Sequence, residues 1–260
     1  MSNRKTGQSD GTMSLSGHLK ELRNRLIICV ISLVIFFLVG LYFSPSIINL
    51  LTKIGKQYGY NFVQLSPQEL LLQQISIALV AGLSLSVPVI LYQIWAFIQP
   101  GLKQNENTLF LGALIFGLFF FIVGVLFAFK IMMPFMLHFL IGLTTGTDVT
   151  SAVSISQYIT FLLTIFLVMG LVFELPVITV LLTQLGLLKV EWLKKSQRVV
   201  IVLIFLLSAI ITPPDVVSQV MVAFPMIGLY ELSLIICSLL SKANGKHSDQ
   251  DDLDQDDPDE

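Results

Sequence analysis

Long apolar runs alternate with short polar stretches along the chain. Six of the runs are read as membrane helices: residues 26–43, 70–97, 109–133, 157–185, 198–212 and 216–240. A hydrocarbon core of about 30 Å needs roughly 20 helical residues. The pattern therefore predicts an all-α protein with six transmembrane helices. The first run, Leu26–Phe43, is long for the apolar core of a cleaved leader, and no small-residue cleavage site follows it. Ser44-Pro45-Ser46 predicts the end of that helix. The fifth run is the short one. From Val199 to Ile211 it offers 13 uncharged, almost wholly apolar residues before Thr212-Pro213-Pro214-Asp215. That is about 20 Å of helix, so this helix predicts local bilayer thinning or flanking anchors. Pro88, Pro176 and Pro225 lie inside segments two, four and six and predict kinks.

The flanks carry their own pattern. Leu15, Leu19, Leu22 and Leu26 line one stripe, which predicts an amphipathic helix on the inner face that runs into segment one. In the first outer loop, 44–69, residues Ile47, Ile48, Leu50, Leu51 and Ile54 predict a short helix along the outer membrane surface, ending near Gly55. A second outer loop is expected over 134–156, rich in Thr, Ser and Gly. Small residues recur at Ala78, Gly82 and Ser86, and at Ala113, Gly117, Gly124 and Ala128. Such seams let helix backbones approach closely, and packing within the chain is the expected use.

Composition agrees with the lipid reading. Of 260 residues, 55% are hydrophobic and 12% charged, and the mean hydropathy is +0.84. A soluble domain averages about 25% charged residues. A nucleic-acid reader, a disulfide scaffold and a largely disordered chain are excluded, and no nucleic-acid partner is expected. The two cysteines, Cys29 and Cys237, sit in apolar runs and predict neither a disulfide nor a metal site.

Charge then orients the chain. With the N-terminus cytoplasmic, twelve basic residues fall inside: Arg4, Lys5, Lys20, Arg23, Arg25, Lys103, Lys189, Lys194, Lys195, Arg198, Lys242 and Lys246. Lys53, Lys56 and Lys130 fall outside. The bias places both termini in the cytoplasm. The net charge of −2 hides this, because eight of the twelve residues from Asp249 to Glu260 are acidic. A dense like-charge run predicts a disordered, solvated tail. The expected organisation is a cytoplasmic amphipathic segment over 1–25, a six-helix domain over 26–242 and an acidic tail over 243–260.

Against so apolar a background the remaining polar residues stand out. Glu174 lies mid-segment in Gly170-Leu171-Val172-Phe173-Glu174-Leu175-Pro176. An intramembrane carboxylate is costly and reads as functional; on a continuous helix, Thr160 and Thr164 share its face. Glu231 next to Tyr230 reads as a hydrogen-bonding partner of Tyr or of another helix, and Gln93 and Gln219 as packing glue. Glu21 suits an i,i+4 ion pair with Arg25. Glu106 follows the Pro100-Gly101 turn at the membrane rim. It suits either a helix-dipole partner or, paired with Glu21, a site for a basic ligand. No nucleophile–base pair, metal motif or phosphate loop is present, so neither an enzyme nor a cofactor is expected. A proton-coupled small-solute transporter using Glu174 and Glu231 is the alternative reading.

Five stretches, in order and in register with the six segments, resemble the TatC family of twin-arginine protein translocases. They are His18-Leu19-Lys20-Glu21-Leu22-Arg23; Ser86-Val87-Pro88-Val89-Ile90-Leu91-Tyr92-Gln93-Ile94-Trp95-Ala96-Phe97; Pro100-Gly101-Leu102 with Glu106; Phe173-Glu174-Leu175-Pro176; and Thr212-Pro213-Pro214-Asp215. The resemblance covers roughly residues 14–242. It implies a glove-shaped six-helix receptor that binds twin-arginine signal peptides. With single-span TatA-type and TatB-type partners, such a receptor moves folded cargo across an energised bacterial cytoplasmic membrane as part of an oligomeric complex. The absence of a transit peptide favours a bacterial membrane over a plastid one. By position, Glu21, Arg23, Phe97 and Glu106 match residues that receive the signal peptide. Glu174 matches a contact for a partner helix. Pro88, Pro176, Pro213, Pro214 and Asp215 match structural positions. Asn107 after Glu106, and Ser76, depart from the family pattern, where basic residues are common.

Overall fold

A computed structural model describes residues 15–98, 107–143, 152–184 and 186–253. Helix α1 (Leu15–Gln57) leads by strand β1 (Asn61–Val63) to α2 (Glu69–Ile98). Helix α3 (Asn107–Phe127) passes through a π turn (Ala128–Met132) into α4 (Met133–Gly142). Strand β2 (Ala152–Ser154) precedes α5 (Ile155–Val172), α6 (Leu175–Gln184), α7 (Val190–Ile211) and α8 (Val216–Leu253). Among the described residues, five stretches are long and apolar enough to cross a membrane: Leu19–Gln57, Glu69–Phe97, Leu114–Gly142, Ile155–Gln184 and Val216–Leu240. Helix α7 is the sixth. Its 22 residues span about 33 Å, but Glu191, Lys194, Lys195 and Arg198 occupy its first half. In α1 only 11% of the apolar window is buried within the chain. The exposed Leu26, Val30, Val34 and Leu38 leave a face that a bilayer covers. The chain is a multi-pass membrane protein.

Several expected boundaries move. Helix α1 does not stop at Ser44-Pro45-Ser46. Proline cannot donate to the carbonyl four residues back, and the Ser44 hydroxyl donates to that same carbonyl, Leu41 O, at 2.9 Å. The helix therefore continues. The expected surface helix at 47–54 is its end, and its apolar side faces protein: Ile48 and Leu51 are buried with Tyr60, Leu137 and Tyr158. Gly59, at φ +89°, turns the chain into β1. The third segment outlasts its expected end at 133. It reaches Gly142 because the π turn absorbs one extra residue, with Met133 N–H reaching Ala128 O, and keeps Ala128, Met132, Met133 and Met136 inside. Helix α8 runs past residue 242 to Leu253 with no proline beyond Pro225 to stop it. The helix entering segment one is continuous with it, as expected.

Two cores hold the helices together. The first joins Ala128, Met132, Met136, Ile165, Met169, Val222 and Met226 across α3–α5 and α8. The second caps the end of the bundle where α1 runs into β1. There β1 and β2 pair in parallel, Asn61 with Ala152 to Val63 with Ser154, an addition to the all-α expectation. Tyr60 donates to Leu137 O at 3.0 Å and Tyr158 to Leu51 O at 2.9 Å. Burial pushes the Tyr60 hydroxyl up to about 12. The small-residue seams pack within the chain. A Cβ on Gly82 would lie 2.8 Å from Phe37 N, and one on Gly124 2.8 Å from Met169 O. Gly40, opposite Ala78, completes the α1–α2 seam.

Candidate functional site

The tight α1–α2 packing brings two sequence-distant polar groups together at one end of the pair. Glu21 and Arg25 lie one turn apart on α1 and form an ion pair. Arg25 Nε and Nη2 both donate to Glu21 Oε1, the former at 3.1 Å. Arg25 Nη1 reaches Gln93 Oε1 of α2 at 3.4 Å. One guanidinium is thus shared between a carboxylate and an amide carbonyl. Glu21 Oε2 is buried and has no hydrogen-bond partner among the described residues. The group faces an open pocket of about 600 Å³ whose wall includes Gly17, Lys20, Asn24 and Ile28.

The expected local pair of Glu21 with Arg25 is present. Gln93, expected to serve as packing glue, is the third member of the group. It lies 68 residues from Arg25, and no spacing rule links the two. Its one legible signal is a lone amide on an apolar helix. Phe97, one turn further along α2, lies on the same side as Gln93 and is half-buried. Arg23 is exposed and does not join the cluster, because two residues on a helix point about 200° apart. Glu106 lies outside the described residues.

Glu174 occupies a different setting. Segment four is broken there: α5 ends at Val172 and α6 begins at Leu175. Pro176 cannot donate to Val172 O, so the regular ladder ends and restarts around Phe173 and Glu174. Glu174 is 4% exposed, and neither carboxylate oxygen has a partner. Gly117 of α3 makes room for it, since a Cβ there would lie 3.0 Å from Glu174 Oε2. Phe173 packs against Gly124 and, with a ring distance of 5.5 Å, Phe127.

Thr160 and Thr164, expected on the face of Glu174, make their hydrogen bonds elsewhere. Thr160 donates to Gln73 Oε1 at 3.5 Å, and Thr164 to Thr160 O at 2.8 Å. Thr160 belongs to a polar cluster at the β1–β2 end that the sequence left unmarked. There Glu69, 8% exposed, accepts from Leu65 N at 2.8 Å and Ser154 Oγ at 3.0 Å. Gln73 donates to Ser156 at 2.7 Å. This cluster ties the start of α2 to the segments carrying β1 and β2.

The other singled-out residues have structural places. Glu231 accepts from Gln197 of α7, and Tyr230 donates to Leu193 O at 2.7 Å. Gln219 donates to Phe205 O at 3.0 Å. Asp215 caps α8, its Oδ1 accepting from Ser218 N at 2.6 Å, and the Pro213-Pro214 turn holds it there. Pro88 sits within the unbroken α2. Among the described residues no group of three or more His, Cys, Asp or Glu could hold a metal ion.

Comparison with known proteins adds a consistent set of relatives. A Helicobacter pylori Sec-independent protein translocase protein TatC is 38% identical over 230 residues, covering 88% of this chain and 89% of that protein. The Bacillus subtilis protein TatCy is 34% identical, covering 92% and 94%. The crystal structure of a twin-arginine translocase receptor, TatC, aligns with a TM-score of 0.79 at 36% identity, covering 86% of this chain and 99% of that one. The family of Sec-independent protein translocase proteins (TatC) is matched over residues 17–225. The six-span helical architecture and the family match agree, and the chain belongs to the TatC family.

Proposed function

We propose that this chain is the signal-receptor subunit of a twin-arginine translocase in a bacterial cytoplasmic membrane, with both termini cytoplasmic. The observation that carries the reading is the guanidinium site at the α1–α2 end. A carboxylate and an amide oxygen, set beside an open pocket, already hold one arginine. An arginine-containing peptide arriving from the cytoplasm finds acceptor chemistry of the right kind, and paired guanidinium–carboxylate contacts are among the stronger hydrogen bonds. Glu21 and Glu106 receive the two arginines, Phe97 and Arg23 flank the peptide, and its apolar stretch follows the lipid-facing helices.

Glu174 is the polar contact for a single-span TatA-type or TatB-type partner. A buried carboxylate without an internal partner gains most from a hydrogen-bonding group on another helix. Transport of folded cargo is then driven by the proton-motive force in an oligomeric assembly. The family relationship does not support a small-solute transporter. Glu231, its second coupling carboxylate, is already engaged by Gln197.

The test is binding of a fluorescent twin-arginine peptide to the detergent-purified chain. Charge reversal at Glu21 and Glu106 is expected to abolish binding that distinguishes Arg-Arg from Lys-Lys. Retained discrimination refutes the assignment. For the partner site, Glu174→Ala is expected to reduce crosslinking of a single-span partner along α5 and α6, and unaltered crosslinks count against it.

A further inference from the structure

We infer that Arg25 is an internal occupant of the signal-arginine site, so that a bound signal peptide displaces it; this rests on the reading of Glu21 as an arginine acceptor. The geometry is that of a ligand in a site rather than of a solvated i,i+4 pair. Both Arg25 Nε and Nη2 converge on a single oxygen, Glu21 Oε1, and the third nitrogen crosses to Gln93 of another helix. The three donors of one planar group are used on two elements. A surface pair on one helix has no such second anchor. The Glu21 side chain is only 20% accessible and that of Arg25 22%, so an arriving guanidinium cannot reach the occupied oxygen without moving Arg25. Glu21 Oε2, buried and without a partner among the described residues, is a second acceptor that becomes reachable once Arg25 moves. Once Arg25 leaves, its stem is long enough to carry the charge into the adjoining open pocket, where water solvates it.

The consequence is specific. Displacing an internal occupant lowers the apparent affinity of every ligand that needs the site by the same factor, the fraction of chains with the site free. It leaves the ratio between Arg-Arg and Lys-Lys ligands untouched, because that ratio is set by Glu21 and Gln93 themselves. Arg25 therefore tunes how tightly signals are held, and so how readily they are released, without choosing among them. An arginine that only oriented Glu21 would act in the opposite sense, since its removal would weaken binding.

The experiment uses the whole chain in detergent micelles. Two synthetic peptides are the probes, one with Arg-Arg before an apolar stretch and one with Lys-Lys in its place. Arg25→Gln removes the occupant. Arg25→Lys keeps the positive charge but lacks the planar fork. Both variants are expected to tighten Arg-Arg binding, by about two- to ten-fold for loss of one partly exposed charged contact. The Arg-Arg to Lys-Lys affinity ratio is expected to stay within about two-fold of the unaltered chain's. A gain in Arg25→Lys excludes a simple effect of net charge. Weaker or unchanged binding in both variants, or a gain confined to Arg25→Gln that vanishes at high salt, overturns the inference. Glu21→Gln separates it from the reading beneath. If Glu21→Gln leaves Arg-Arg binding intact, the receptor site itself is misplaced. If it abolishes binding while the Arg25 variants fail to tighten it, only the displacement idea falls.

Discussion

Glu21 and Glu174 are both carboxylates enclosed by helices, yet they are held in opposite ways. Glu21 is gripped by Arg25, and the grip extends to Gln93 on a second helix. Glu174 is more deeply enclosed and is gripped by nothing: its walls are Gly117, Leu91 and its own broken helix. Elementary electrostatics makes the first arrangement comfortable and the second costly. A partnered carboxylate beside an open pocket suits an exchange of one cation for another. An unpartnered carboxylate at a helix break suits completion by an additional helix. The same side chain is thus suited to two kinds of recognition, decided by what the fold places beside it.

Isosteric neutralisation at both positions sharpens that contrast most. Glu21→Gln is expected to weaken twin-arginine peptide binding by about 30-fold or more, the scale for removing one partner of a hydrogen-bonded charge pair. The thermal midpoint in detergent should move little, because a partly exposed pair contributes at most ~1 kcal/mol to folding. A large fall in thermal midpoint without loss of binding breaks the contrast.

Filling the space beside Glu174 comes next. In Gly117→Val the new Cβ falls 3.0 Å from Glu174 Oε2, with Leu91 at 3.3 Å. Overpacking of this kind costs about 1–3 kcal/mol, read as a lowered midpoint on heating. No change would mean that the carboxylate has room to swing away.

Glu174→Gln is expected to do the reverse. The side chain keeps its size and loses its ionisable group, so the midpoint holds or rises by the equivalent of ~1 kcal/mol. Crosslinks to a single-span partner fall, while peptide binding stays within about two-fold of the unaltered chain. A drop in peptide affinity would couple the two sites and dissolve the distinction between them.

Gln93→Leu is the smallest effect. At 3.4 Å its contact to Arg25 is long, and its loss frees the internal arginine while removing an acceptor for the incoming one. The two changes oppose each other, and binding is expected to shift by less than about five-fold. A loss as large as that of Glu21→Gln would make Gln93 an equal acceptor.

Much of the fold was legible because lipid imposes one demand at every depth. A spanning backbone must satisfy its own hydrogen bonds and face outward with apolar side chains. Runs of that kind are visible residue by residue, and five of the six segments matched long apolar helices. What failed locally failed for local reasons. Pro45 was read as a stop, yet Ser44 supplies the bond that proline omits. The surface helix at 47–54 had the right apolar face but the wrong neighbour, since Tyr60 and Tyr158 cover it. The π turn at Ala128–Met132 is flanked by Pro134 at the start of α4, a signal passed over because the segment was read as ending at 133.

The candidate residues divide in the same manner. Scarcity of charge alone singled out Glu21 and Glu174, because each is an exception in an apolar setting. The partner of Glu21 within one helix turn was readable from i,i+4 spacing. Gln93 was not readable as a partner, because it meets Arg25 only where Gly40 and Gly82 bring α1 and α2 into contact. Thr160 was read with Glu174 but bonds Gln73 of another helix, and Glu69 was passed over because burial by loops leaves no periodic signature. Sequence by itself determined the solvent, the number of spanning helices and which charges are exceptional, since each of these follows from composition and period along one chain. Only the tertiary structure decided what each exceptional charge meets. Such partners are set by the crossing of helices far apart in sequence, where a contact depends on backbone approach and not on spacing.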